Sequence, residues 1–214
     1  MKRIVSLFLG FVMVFSMASF SFAAENESSN DYKLVEEKLL MFEREINNID
    51  FSNVNKKIDL GDGWYATIEA QDVKEAQGGM SLTRSNQAET LWKDYGNRRF
   101  TAKCKLFRLP ISFYEVTLVN HYTLSEDGIV VRYGEAWVNS SGDAQGTAGA
   151  VIKIKDKAKK GESVSLSCLY TLNYSITGIS NTKTYKFINN VKCSDIDKLE
   201  KQVKVVQSWE GEWK

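Results

Sequence analysis

Residues 112–138 read SFYEVTLVNHYTLSEDGIVVRYGEAWV, and the fold is decided in this stretch. Apolar side chains recur at alternate positions from Tyr114 to Leu124, and again from Ile129 onward. That is the period of a pleated strand with one buried face. Between the two runs lies Ser125-Glu126-Asp127-Gly128, a turn-forming tetrapeptide that folds the second strand back antiparallel to the first. With Leu124 opposite Ile129, an uninterrupted ladder sets Asn120 against Tyr133, Leu118 against Glu135 and Val116 against Trp137. Tyr114, Val116, Leu118, Tyr122 and Leu124 then share a face with Ile129, Val131, Tyr133 and Trp137. Glu135 and Asn120 are the polar members of that face.

A carboxylate among aromatic and aliphatic neighbours needs a cation, or else it keeps its proton to higher pH. Arg98, Arg99 and Arg108 are the candidate cations. Two aromatic rings flanking an acid also suit a sugar, whose flat faces stack on such rings. Tyr133, Glu135 and Trp137 are therefore the candidate ligand-binding residues. Glycoside hydrolysis through Glu135 would require a second carboxylate, roughly 5–10 Å away. Glu69 is a candidate, whereas Glu115 falls on the opposite face in this register. His121 alternates away from the candidate site and reads as a surface residue beside Arg132.

The two-residue period extends outward from the hairpin, over 57–60, 64–70, 90–94 and 98–107 on one side and 148–155, 164–176 and 182–191 on the other. Gly61-Asp62-Gly63 and Tyr95-Gly96-Asn97 supply turns between them. About eight strands joined mostly by short turns predict a mainly β chain, an antiparallel β-sandwich or open barrel over 57–193. Residues 24–56 form a polar segment followed by a helix. Its stripe of Leu34, Val35, Leu39, Met41, Phe42 and Ile46 is interrupted by acids, and Asn30 or Asp31 is placed to cap it. In the closing segment 194–214, Ser194-Asp195-Ile196-Asp197 resembles a helix start, and Ile196, Leu199 and Val203 follow at helical spacing. Val203-Lys204-Val205-Val206 also suits a strand; a short C-terminal helix is expected, packed on or flanking the β domain, and the final residues are left unassigned.

Residues 1–23 have the layout of a signal peptide. Lys2 and Arg3 precede an apolar run beginning at Ile4, and Ser21-Phe22-Ala23 presents small residues at both positions a signal peptidase inspects. Cleavage after Ala23 predicts a secreted, extracellular protein with no membrane anchor, because Trp209 to Lys214 contains no apolar tail. Two of the 28 Lys and Arg residues lie in that leader, so 26 bases face 27 acids in the remainder. Near-neutrality excludes the uniform basic field of a dedicated nucleic-acid binder. Lys153, Lys155, Lys157, Lys159 and Lys160 form a local basic tip, diluted by Asp156 and Glu162.

One histidine rules out any metal site or catalytic set that needs two. The glycines do not follow the spacing of a phosphate loop, nor the turn aspartates that of a calcium loop, and no cofactor is expected. Cys104, Cys168 and Cys193 are an odd number for an oxidising compartment, and their pairing is open: one disulfide, or none. Trp209 and Trp213, near a charged terminus, are candidates for an exposed patch. Taken together, these features predict a secreted, non-catalytic β-sandwich protein whose partner is a cell-surface glycan or another extracellular protein. A glycan hydrolase acting through Glu135 is the alternative. A secreted toxin or antimicrobial effector shares the size and the leader.

Overall fold

The computed structural model describes residues 33–48, 56–75, 92–108, 111–142, 144–176 and 179–214 of the 214-residue chain. The expected leader at 1–23 and the expected capping residues Asn30 and Asp31 lie outside these residues. Among the described residues, one helix, α1 (residues 33–47), precedes twelve strands, where the periodicity predicts about eight. They are β1 (Lys56–Gly61), β2 (Trp64–Lys74), β3 (Trp92–Asp94), β4 (Gly96–Arg108), β5 (Ile111–Ser125), β6 (Gly128–Ser140), β7 (Ala144–Ala148), β8 (Ile152–Lys155), β9 (Lys157–Ala158), β10 (Ser163–Ile176), β11 (Ile179–Asp197) and β12 (Gln202–Trp213).

The strands build two antiparallel sheets, ordered β1-β2-β4-β5-β6-β9 and β3-β12-β11-β10-β7, with β8 attached to β10. Their inner faces form one core. Ile68, Cys104, Val116, Leu118 and Tyr122 come from the first sheet, and Leu166, Tyr170, Phe187, Val191 and Val205 from the second. The expected strands appear, with additions where the chain changes sheets. The stretch 148–155 divides into the end of β7 and β8 around a link, and β9 returns briefly to the first sheet beside Ile129 and Val130. Tyr95-Gly96-Asn97 does not close a hairpin. β3 pairs with β12 in the second sheet, and Gly96, at φ 124°, begins β4 in the first. Gly61-Asp62-Gly63 does close the β1–β2 turn, all three residues at positive φ, Asp62 at 55°.

No C-terminal helix forms. Ser194 to Asp197 completes β11, and β12 runs from Gln202 to Trp213 inside the second sheet. The cap-like acid serves a turn instead: Asp197 Oδ1 accepts the N–H groups of Leu199 and Glu200, and Lys201 takes a positive φ. Leu199, 93% exposed, sits at the tip of this turn.

α1 packs against β12 and the start of the first sheet through Val35, Leu39, Phe42 and Ile46, all buried. Each contributes roughly 1.5–3 kcal/mol, more than a single exposed ion pair supplies. Trp209 and Trp213 form no exposed patch: Trp209 Nε1 donates to Ile46 O and Trp213 Nε1 to Leu39 O, beneath the helix. Among the described residues no helix is long and apolar enough to cross a membrane.

Candidate functional site

Beside the hairpin turn the β5–β6 register matches expectation, with Leu124 opposite Ile129 and Tyr122 opposite Val131. Then it shifts. His121 pairs with Tyr133, so Arg132 is an extra residue, a β-bulge. Side chains alternate with period two, so one added residue exchanges the two faces of everything beyond it. Gly134, Ala136 and Val138 turn to the core, and Tyr133, Glu135 and Trp137 turn outward. The expected grouping of these three with Val116 and Leu118 is thus overturned. Their real neighbours are His121, Val119 and Thr117 on β5.

Tyr133 is 44% exposed and Trp137 41%, and Glu135 projects between them into solvent. Glu135 therefore has no need of a buried counter-ion, and Arg98, proposed for that role, serves Asp72 inside the sandwich. The row containing Glu135 continues through Val119, Thr101 and Gln71, a strip without charge. Charges flank it: Glu69, Lys105, Glu115 and Lys103 form a chain of ion pairs toward Asn139, which donates to Glu115. Glu115 thus shares the outer face with Glu135, again because of the bulge.

His121 is the residue that sequence reasoning missed. It is not a surface residue but only 5% exposed, because Tyr133 lies over it, the two rings 4.0 Å apart and 14° from parallel. His121 Nδ1 is 2.6 Å from Glu75 Oε1, which follows β2, and the Arg132 guanidinium also bonds Glu75. Glu75 is partly buried, which works against its charge. The hydrogen bonds from His121 and Arg132, and their charges, prevail and hold its carboxyl below the usual range. A carboxylate only accepts, so Nδ1 carries a hydrogen and donates it to Glu75. Nε2 has no hydrogen-bond partner and lies 3.7 Å from Glu135 Oε2. The bulge residue Arg132 thus braces the acid that braces the imidazole beneath Tyr133.

The arrangement is a pre-set platform: a ring supported from below, a carboxylate, and a second ring along one strand. Among the described residues no group of three His, Cys, Asp or Glu side chains is placed to hold a metal ion. The basic tip is largely paired, Lys155 with Glu162 and Lys160 with Asp195, while Lys153 donates to the carbonyl of Arg132. An open depression of about 300 Å³ on the second sheet, near Asn47, is lined by Lys186, Glu210 and Glu212 and contains no aromatic ring. No protein-family model matches the chain, nor does any curated protein or solved structure.

Proposed function

We propose that this is an exported, non-catalytic binding protein that takes up a linear, uncharged glycan along the outer face of its first sheet. The observation that carries the reading is the exposed row Tyr133–Glu135–Trp137, with Tyr133 backed by His121. Aromatic rings present an apolar face together with a polar tip, and they offer large contact area with little entropy to lose. Positions 133 and 137 are four residues apart, so their Cα atoms are roughly 13 Å from each other. A ligand touching both is longer than one sugar ring. Glu135 between them accepts hydrogen bonds from hydroxyl groups and repels anionic polymers. Export is supported by the leader-like layout of residues 1–23.

Calorimetry against a panel of neutral and acidic polysaccharides tests this. Binding of a neutral glycan is expected, weakened roughly tenfold by either Tyr133→Ala or Trp137→Ala, the size of effect of removing an anchor residue. Thermal unfolding should be little changed, since both rings are partly exposed. The reading fails if no glycan binds, or if the double variant binds as well as the parent.

The second reading is hydrolysis, favoured by the placement of a second carboxylate, Glu75, on the far side of the same imidazole. Glu135→Gln then abolishes turnover of the glycan while some binding persists; absence of turnover in the parent chain dismisses it.

A further inference from the structure

We infer that His121 is a proton-operated positioning residue for Glu135, so that binding on this face weakens as the pH falls. The regulatory part rests on the glycan-binding reading; the coupling between the two side chains does not. The charged groups facing His121 are Glu75 from the end of β2, Arg99 opposite it on β4, and Arg132 and Glu135 from β6, with Tyr133 stacked on its ring. Arg132 is engaged with Glu75, and Arg99 reaches into solvent.

With the ring neutral, Nε2 presents a lone pair to the Glu135 carboxylate. Two acceptors 3.7 Å apart make no bond, and Glu135 is free to meet ligand hydroxyls. A proton taken up from solvent at Nε2 turns that lone pair into an N–H aimed at Oε2. The separation then closes to a charge-assisted hydrogen bond of about 2.7–2.9 Å. Glu135 is drawn down beside Tyr133, and the hydroxyl contacts are lost. Nδ1 stays on Glu75 throughout, so the ring does not rotate and Tyr133 keeps its support.

The chain has one histidine, so its imidazole gives a single, self-assigned NMR signal. In the ligand-free protein, Glu135→Gln removes the carboxylate that stabilises the imidazolium. The pH response of the ring signal is then expected to differ from the parent's, with its midpoint lower. An unchanged midpoint overturns the inference whatever glycan is bound.

The second arm compares glycan affinity near pH 8 and near pH 5, the window in which imidazole changes charge. The parent should bind about fivefold more weakly at the lower pH, a change equal to one lost hydrogen bond. Glu135→Gln and His121→Gln should both bind alike at the two pH values. Equal parental affinity at both ends overturns the regulation. If the parent binds no glycan yet the midpoint falls in Glu135→Gln, the binding reading fails and the His121–Glu135 coupling stands on the titration.

Discussion

Asp72 has the most demanding surroundings of any charged residue in the core. Its side chain is 4% exposed, yet it faces the interior between the sheets. Lys93 and Arg98 pair with it at 2.7 and 2.8 Å, and Tyr122 and Gln207 also donate to it. Burial alone would raise its carboxyl. The charges of Lys93 and Arg98, with hydrogen bonds from Lys93 and Tyr122, outweigh burial and hold it below the usual range. Asp72→Asn leaves two enclosed cations without their counter-charge, and a loss of about 3–5 kcal/mol is expected in urea unfolding. The exposed pair Lys74–Asp94 is the contrast: Asp94→Asn should cost less than about 1 kcal/mol. A carboxyl depressed in the folded state stabilises above its unfolded pKa and ceases to do so as the pH falls through its folded one. Parental stability should therefore decline on acidification below about pH 4, with a shallower decline in Asp72→Asn, measured by urea titrations at stepped pH. Asp72 lies two residues past the expected end, at 70, of the strand that begins at Trp64, and only the longer β2 puts it on the inner face. Its partners could not be counted, since Lys93 and Gln207 come from the other sheet.

α1 finishes the edge of β12. β3 covers only Gln202 to Lys204 of that strand, so the rest of its edge presents backbone groups that need partners. Asn47 supplies both: its Nδ2 donates to Gly211 O and its Oδ1 accepts Gly211 N–H, each at 2.8 Å. Glu43 accepts the N–H of Trp213 in the same way. One side-chain amide thus does what a neighbouring strand would do. Asn47→Ala should cost about 1–2 kcal/mol for two lost bonds, and hydrogen exchange should quicken at the Gly211 amide while the centre of β11 stays protected. Lys38 fixes the other end of the helix by donating to Leu60 O and pairing with Asp62. The helix was legible from its apolar stripe. The final strand was legible only at Val203 to Val206, because Ile196, Leu199 and Val203 also fit helical spacing, and Asp197 has the same capping chemistry whether a helix or a turn follows. The bulge was hidden too: Arg132 carries no glycine-like mark, and its partner Glu75 lies beyond the end of β2, remote in sequence.

At the level of the whole molecule, an antiparallel two-sheet architecture follows from period and turns, but the membership of each sheet does not. Short segments such as β3 and β9 join whichever sheet their neighbours leave open, a tertiary choice that no local pattern encodes. The core holds Cys104, Cys168 and Cys193, all buried and all free. Burial raises each thiol, with Cys104 raised furthest. A thiol-reactive dye should therefore label none of the three in the native protein within minutes and all three in denaturant. Reducing agent should leave the melting temperature unchanged; rapid native labelling, or a fall in melting temperature, would contradict the fold as described.

The extra residue at position 132 has a consequence for descent as well as for geometry. An in-frame loss of that one codon would reel two rings and an acid inward and push Gly134, Ala136 and Val138 out to water. The same deletion would remove the guanidinium that steadies Glu75. One deleted residue would thus exchange the two faces of the strand in a single step, whereas a substitution changes one side chain and leaves the faces in place.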